Sequence, residues 1–251
     1  MLSKKIIQHI NKLGQKKVRH EEHEFIIEGI KGISEALESD ANILLLVVEG
    51  NRRDENEFVE LIKLAERQQV SIEFCGRKEV DDIKTTDTFP GVLAIVEQSE
   101  VELNDLTGNI ICLDGVKDPG NLGTIIRTAD WFGIKNIILA EDCVDPYNPK
   151  VVRSTMGSIF RVNIFESEGI VRDLSYLQED GYKLNGLVMN GVNLDKLKPG
   201  NKEIYVLGSE SHGIRPEVEK ILDKKYTISG SGSAESLNVA VACGILLSRI
   251  S

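Results

Sequence analysis

The chain has 251 residues, a formal net charge of −10 and an apolar fraction of 41%. That length suits one large domain or two smaller ones, and no apolar run reaches the roughly 18–20 residues needed to span a bilayer. The acidic balance argues against a protein that coats nucleic acid through bulk charge. The charge is nevertheless uneven. Residues 1–20 hold Lys4, Lys5, Lys12, Lys16, Lys17 and Arg19, with His9 and His20 and no acid. This basic arm reads equally as a phosphate contact or as a solvated helix face. No apolar core with a cleavage site follows Lys4 and Lys5, so no secretory signal is expected.

In chain order, an opening helix is predicted over about 2–13. "EFIIEG" (Glu24–Gly29) is a short strand, and a helix follows near 30–38. "ILLLVVEG" (Ile43–Gly50) is a continuous apolar run of strand length, which suits a buried strand. "EFVELIKLAERQ" (Glu57–Gln68) spaces Phe58, Leu61, Ile62 and Ala65 at helical intervals. "SIEFCG" and "GVLAIVEQ" supply two more strands. The polar, acidic stretch Ser99–Asn109 lacks apolar periodicity and reads as a connection. The expected division is therefore a small α/β unit over 1–98, a linker over 99–108 and a second α/β domain over 109–251.

In that second domain "IICLDG", "NIILA", "GLVMN", "IYVLGSE" and "KYTIS" are candidate strands. Helices are predicted near 122–132, 150–157, 170–179 and 216–223, with a last one over "SLNVAVACGILLSRI". Strands alternating with helices imply a mostly parallel sheet covered on both faces. Cys75, Cys112, Cys143 and Cys243 are scattered, and no CxxC pair or His-rich cluster suggests a zinc site, so no metal is expected. Reduced thiols in a cytoplasmic protein are the simplest reading.

Chemistry in open α/β sheets gathers in loops at the carboxyl ends of strands. Three such loops stand out. In "LDGVKDPGNLGTIIRTADWFG" (Leu113–Gly133), Asn121 is placed to cap a helix, Gly123 permits close backbone approach, and Arg127 lies among apolar neighbours. In "IYVLGSESHGIRPEV" (Ile204–Val218), an apolar strand runs into Gly208, Glu210 and His212, with Pro216 at a first helical position. Glu210 could equally cap or pair locally, and a turn histidine is more often exposed and inert. In "ISGSGSAESLNVAVACGILL" (Ile228–Leu247), a Gly/Ser-rich loop exposes backbone polar groups before a helix expected to begin near Ser236 and be capped by it. Glu235 stands where a dinucleotide fingerprint needs its third glycine, and no P-loop is present.

Together and in this order, the loops resemble the SpoU-type RNA 2′-O-ribose methyltransferases, also called the TrmH family, within the SPOUT superfamily. The shared motifs are Asn-x-Gly-x-x-x-Arg ("NLGTIIR", Asn121–Arg127), Leu-Gly-x-Glu with Gly-Ile beyond ("VLGSESHGI"), and Ser-Leu-Asn-Val-x-Val-Ala ("SLNVAVA", Ser236–Ala242). The motif block covers about 110–251, and the N-terminal unit is similar to the family's substrate-binding domain. One departure is visible: the family's apolar Ile-Pro-Met type stretch is "ISGSGSAE" here.

The resemblance implies an α/β fold whose C-terminal parallel sheet is tied in a trefoil knot, a rare feature, beside a smaller RNA substrate-binding domain. It implies S-adenosyl-L-methionine as cofactor, with Leu207, Gly208, Ile228, Ser236 and Leu237 lining its site. It implies 2′-O-methylation of a ribose in structured RNA, ribosomal RNA foremost, with transfer RNA as the alternative target. Arg127, Asn121, Glu210, Ser236 and Asn238 form the expected catalytic set. A homodimer with sites at the subunit interface is also implied. A catalytically inactive RNA-binding protein of the same fold and a SPOUT enzyme acting on a base are the competing readings. The intact Asn121, Arg127, Glu210, Ser236 and Asn238 speak against the first, and the Asn–Arg and Ser-Leu-Asn pairings against the second.

Overall fold

A computed structural model describes residues 1–84 and 88–251. They form two compact units, Met1–Ser99 with Tyr147–Phe160, and Glu100–Pro146 with Arg161–Ser251.

The first unit runs α1 (Lys4–Leu13), α2 (Lys16–Glu22), β1 (Glu24–Glu28), α3 (Ile30–Leu37), β2 (Ile43–Glu49), α4 (Asn56–Arg67), β3 (Ile72–Cys75), α5 (Arg77–Ile83) and β4 (Val92–Glu97). Its four-stranded sheet has the order β1-β4-β2-β3, antiparallel at β1/β4 and β4/β2 and parallel at β2/β3. The two central strands are the most apolar; β4 is buried from Val92 to Val96, and β2 from Leu46 to Val48, with Leu44 exposed near its start. Helix α1 is amphipathic: Ile10 and Leu13 join Leu2, Ile26, Val47, Ile83 and Leu93 in one core. Helices α2 and α5 were not among the predicted elements. Each spans only seven residues with few apolar positions, too short a run for a 3.6-residue period to show.

The second unit opens with β5 (Ile110–Asp114), α6 (Pro119–Trp131) and β6 (Asn136–Leu139). The chain then enters the first unit, where α7 (Pro149–Thr155) packs on β1. It returns as β7 (Asn163–Glu166), α8 (Ile170–Glu179), β8 (Lys183–Asn193), β9 (Glu203–Gly208), α9 (Pro216–Glu219), β10 (Lys224–Thr227) and α10 (Val239–Ile250). The six strands are parallel throughout, in the order β10-β8-β9-β5-β6-β7. β7 was not predicted; its four residues "NIFE" alternate only weakly between apolar and polar. The core lies between this sheet and helices α6 and α10, which bury Leu122, Ile125, Ile126, Ala129, Cys243, Leu246 and Leu247. Among the described residues, no helix is long and apolar enough to cross a membrane.

Two helix starts differ from the sequence reading. Helix α6 begins at Pro119, and its cap is Asp118, whose side chain accepts from the Asn121 N–H at 2.8 Å. Asn121 is therefore inside the first turn and is not the cap. The Asp-Pro pair is the signature of a helix start, since proline at the first position lacks only an N–H that would be unsatisfied anyway. Helix α10 begins at Val239 and is capped by Asn238, not Ser236; Asn238 Oδ1 accepts from Ala240 at 2.9 Å and Val241 at 3.3 Å.

Candidate active site

All three motif loops leave the carboxyl ends of strands in the second unit. β5 and β9 are neighbours in register, with Asp114 opposite Gly208, so the loops that follow them start side by side. The third loop follows β10, and it reaches the first because α10 packs against α6 and β9.

The loop after β9 is a tight hairpin. Ser209 N–H donates to Gly213 at 3.1 Å and Gly213 N–H back to Ser209 at 2.9 Å. The return limb lies directly on Gly208: a Cβ there would stand 1.9 Å from the Gly213 carbonyl carbon and 2.1 Å from Ile214 N. No side chain fits, which supplies a local reason for glycine at this position.

Arg215, immediately beyond the hairpin, fastens it to two other strand ends. Its backbone N–H and Nε donate to Asp114 at 2.7 and 2.6 Å. Nη1 and Nη2 donate to Glu141 and Asp142, each at 2.6 Å. Burial pushes the Asp114 carboxyl above its ordinary range, although the Arg215 N–H and guanidinium pull against it. Burial also raises Glu141, but hydrogen bonds from backbone N–H and from Arg215 outweigh it, and Glu141 sits below its ordinary range. Asp114, Lys117, Asp142, Glu210, His212 and Arg215 line a cavity of ≈ 240 Å³ between these loops.

The side chains of the motifs meet in one hydrogen-bonded line. Asn238 must turn Oδ1 toward the N–H groups of α10, so its Nδ2 faces outward and donates to Asn121 Oδ1 at 2.9 Å. That leaves Asn121 Nδ2 to donate to Glu210 Oε1. The helix cap thus fixes both amide orientations in turn, and the line ends on a carboxylate, where a charge-assisted bond is strongest.

The other expected residues lie outside this line. Arg127 is exposed on α6, six residues beyond Asn121 and so about 9 Å further along the helix axis. Among the described residues it has no hydrogen-bond or ion-pair partner. Ser236 is exposed with no bonded partner among them either. Of the positions expected to line a donor site, Leu207 is buried at the end of β9, Ile228 is half-buried, and Leu237 is 47% exposed. Gly230 and Gly232 have open space where a side chain would project. His212 is exposed; among the described residues its ring bonds to Ser211 and its backbone N–H to Ser209. All four cysteines are buried and free. Burial pushes the Cys75 and Cys143 thiols up to about 11 and Cys243 to about 12, which leaves them unreactive.

Sequence reasoning missed Asp114, Glu141, Asp142 and Arg215. The signal that existed was Asp114 itself, an acid closing the apolar strand "IICLD" at the sheet edge where the motif loops start.

Comparison with known proteins places this geometry. Residues 108–248 match the SpoU rRNA Methylase family, and residues 4–94 match the MRM3-like substrate binding domain. The 23S rRNA (guanosine(2553)-2′-O)-methyltransferase RlmP of Bacillus subtilis is 28% identical over 94% of this chain and 92% of its own. The 23S rRNA (guanosine-2′-O-)-methyltransferase RlmB of Vibrio cholerae is 30% identical over 88% of this chain and 94% of its own. Among solved structures, an AdoMet-bound rRNA methyltransferase from Sinorhizobium meliloti is 30% identical with a TM-score of 0.85, covering 99% of this chain and 95% of that one. The SpoU methyltransferase AviRb from Streptomyces viridochromogenes, in complex with AdoMet, is 25% identical with a TM-score of 0.86, covering 98% and 97%. With more than half of its length matched, and with its three motif loops meeting at one sheet edge, the chain belongs to the SpoU rRNA Methylase family.

Proposed function

We propose that this protein is an S-adenosyl-L-methionine-dependent RNA (ribose-2′-O)-methyltransferase acting on structured RNA, ribosomal RNA foremost. The observation that carries the reading is the line from Asn238 through Asn121 to Glu210, which joins the three motif loops into one polar site. The rRNA substrates and bound AdoMet of the relatives point the same way.

The residues fit the methyl donor. Ile228 and Leu237 offer aliphatic surface for an adenine face, Leu207, buried at the end of β9, backs the site from within the core, and the open backbone around Gly230 and Gly232 offers N–H and C=O groups to the donor's polar edge. Gly208 and Ser236 complete that set. When bound, the donor supplies a methyl group on a cationic sulfur. What the chain must then do is position a ribose 2′-hydroxyl, exclude water and ease removal of its proton. Arginine is protonated throughout the ordinary pH range, so Arg127 acts first as a cation: it holds an RNA phosphate and lowers the pKa of the adjacent hydroxyl. Its guanidinium has no partner among the described residues and is free to do so. Asn121, Glu210 and Asn238 hold the loops in register, and Ser236 contributes from the edge of the donor loop.

The same reading carries a homodimer, a cytoplasmic location and the trefoil knot. Trp131, 84% exposed at the end of α6, and Val241, 52% exposed on α10, support a covered face on the catalytic unit. Supporting the knot, α10 lies on α6 and β9 although β10 pairs with β8 at the far sheet edge, and Arg249 bonds to Asp195 in the β8–β9 connection.

The test is methyl transfer from labelled donor to a 23S rRNA transcript. The expected product carries label in a nucleotide that resists alkaline cleavage on its 3′ side. Label in an alkali-sensitive nucleotide would overturn the ribose assignment. Arg127→Lys keeps the charge but loses the bidentate fork, and turnover should fall at least about tenfold; near-normal turnover would remove Arg127 from the mechanism.

A further inference from the structure

We propose that the outward face of α1 and α2 is a docking surface for the phosphate backbone of the RNA substrate. The inference rests on the reading above and adds to it which surface of the first unit meets the RNA and by what chemistry.

Along α1, the buried positions Ile10 and Leu13 face the core. At 100° per residue, Lys4, Lys5, Gln8, Asn11 and Lys12 share the opposite side, and all five are exposed. Helix α2 adds Lys16, Lys17 and His20, also exposed. The face is therefore cations and amides with no carboxylate on α1. Of its lysines, Lys17 has a partner, Glu21 at 3.6 Å. Lys4, Lys5, Lys12 and Lys16 have no hydrogen-bond or ion-pair partner among the described residues. Elsewhere some lysines find carboxylates, as in Lys63–Glu60, Lys202–Asp180 and Lys225–Glu219, and others such as Lys183 and Lys224 do not among the described residues. What sets this face apart is that its cations cluster with no acid on α1.

The placement of these charges works against the helices that carry them. The N-terminal turn of a helix has a positive field and favours acids. Yet Lys4 and Lys5 open α1, Lys16 and Lys17 open α2, and neither first turn holds an acid. A local rule broken twice, with Lys17 alone compensated, by Glu21, and Lys4, Lys5 and Lys16 without a partner among the described residues, is the mark of a surface shaped for a partner. An anion supplies the compensation.

The platform is also firmly held. Leu2 is buried and its N–H donates to Glu79 Oε1 at 2.8 Å, while Ser3 caps α1 through the Ile6 N–H. Arg19, counted with the basic arm by sequence, turns inward. It is 2% exposed, and its Nη1 donates to the Leu13 carbonyl at 2.8 Å, closing the α1–α2 corner. The lysines are thus presented on rigid backbone, which lowers the entropy lost on binding. Membrane binding through such a helix needs an apolar side turned outward, but the apolar side of α1 is in the core. Gln8 and Asn11 add donors and acceptors suited to ribose hydroxyls.

The experiment replaces Lys4, Lys5, Lys12 and Lys16 together by glutamine. This removes three unfavourable charges from helix N-termini, Lys4, Lys5 and Lys16, against one favourable charge in the last turn of α1, Lys12, so the variant is expected to fold. A control variant removes four unpartnered, exposed lysines of the second unit, Lys183, Lys198, Lys220 and Lys224. Filter binding to a 23S rRNA transcript is measured from 50 to 300 mM salt, beside single-turnover methylation. Each phosphate contact contributes about 0.7–0.9 to the slope of log K against log salt. The α1–α2 variant should lose about 3 from that slope and bind at least tenfold more weakly at 100 mM salt, with its rate at saturating RNA within twofold of the parent. The control should stay within threefold of the parent in affinity. An unchanged slope would overturn the proposal, as would an equal loss in the control, which would mean bulk charge. A loss of binding to phosphatidylserine vesicles with RNA binding unchanged would overturn it too. If no variant, nor the parent, transfers methyl groups while the slope still falls, the docking surface stands and the proposed reaction fails.

Discussion

Replacing Arg215 by methionine tests how the catalytic edge is held together. Asp114 is 2% exposed and would lose the Nε bond and the neighbouring charge, keeping only the bond from the backbone N–H of residue 215. Removing one partner of a buried ion pair costs about 3–5 kcal/mol. The retained N–H bond places the cost at the lower end of that range. The side chains of Glu141 and Asp142 are 44% and 47% exposed, so their pairs add little once solvent screening is allowed for. The expected loss is about 3 kcal/mol at neutral pH. Its pH dependence has a definite sign. Asp114 has a raised folded pKa, so its protonated form is favoured in the folded state. The associated stability is present at low pH and lost as pH rises through the folded value. Without the guanidinium the Asp114 pKa rises further, and the variant recovers stability on acidification by taking up a proton. Glu141 has a lowered folded pKa in the parent, so the parent loses that stability as pH falls. Both effects narrow the gap toward acid. Urea denaturation of parent and variant at neutral and mildly acidic pH measures it. A deficit under 1 kcal/mol at neutral pH, or one that widens on acidification, would refute the reasoning.

Gly208→Ala should break the hairpin after β9, because the new methyl would overlap backbone 1.9 Å away. A stability loss of about 1–3 kcal/mol and a fall in turnover of at least about a hundredfold are expected from denaturation and methylation assays, and a native hairpin in a crystal structure of the variant would contradict this. Asn238→Asp keeps a good cap for α10 but presents a carboxylate oxygen where an N–H faced Asn121. The melting temperature should hold while turnover falls by about tenfold or more, and normal turnover would detach the hydrogen-bonded line from the reaction.

The site was legible in sequence to the extent that its chemistry is local. Asn121, Glu210 and Asn238 were singled out by the three family motifs that hold them; read locally, each was equally a cap or turn residue. Their mutual bonding was not legible, since Glu210 is 89 and Asn238 117 positions from Asn121. The Arg215 fastening was invisible for the same reason: Asp114 and Glu141 lie 101 and 74 positions away, and no periodicity links them. Most strands were legible because apolar runs of strand length such as "ILLLVVE" and "IICLD" read as largely buried, although Leu44 in the first is 38% exposed. The helix starts were misread by two or three residues where the more conspicuous polar residue, Asn121 or Ser236, drew the cap away from Asp118 and Asn238. The inward turn of Arg19 escaped notice because its composition matched its exposed lysine neighbours.

The excursion of Tyr147–Phe160 into the first unit bears on how the protein is made. Phe25 of β1 packs its ring 4.8 Å from Tyr147 and 6.2 Å from Phe160, and Glu28 pairs with Arg153 of α7. A ribosome releases the first hundred residues well before these partners. The nascent first unit therefore waits, with Phe25 uncovered, until β5, α6 and β6 have also emerged. The first unit is complete only once residues 147–160 have been made. A fragment cut at residue 99 lacks Tyr147 and Phe160 and leaves the Phe25 ring without these two contacts.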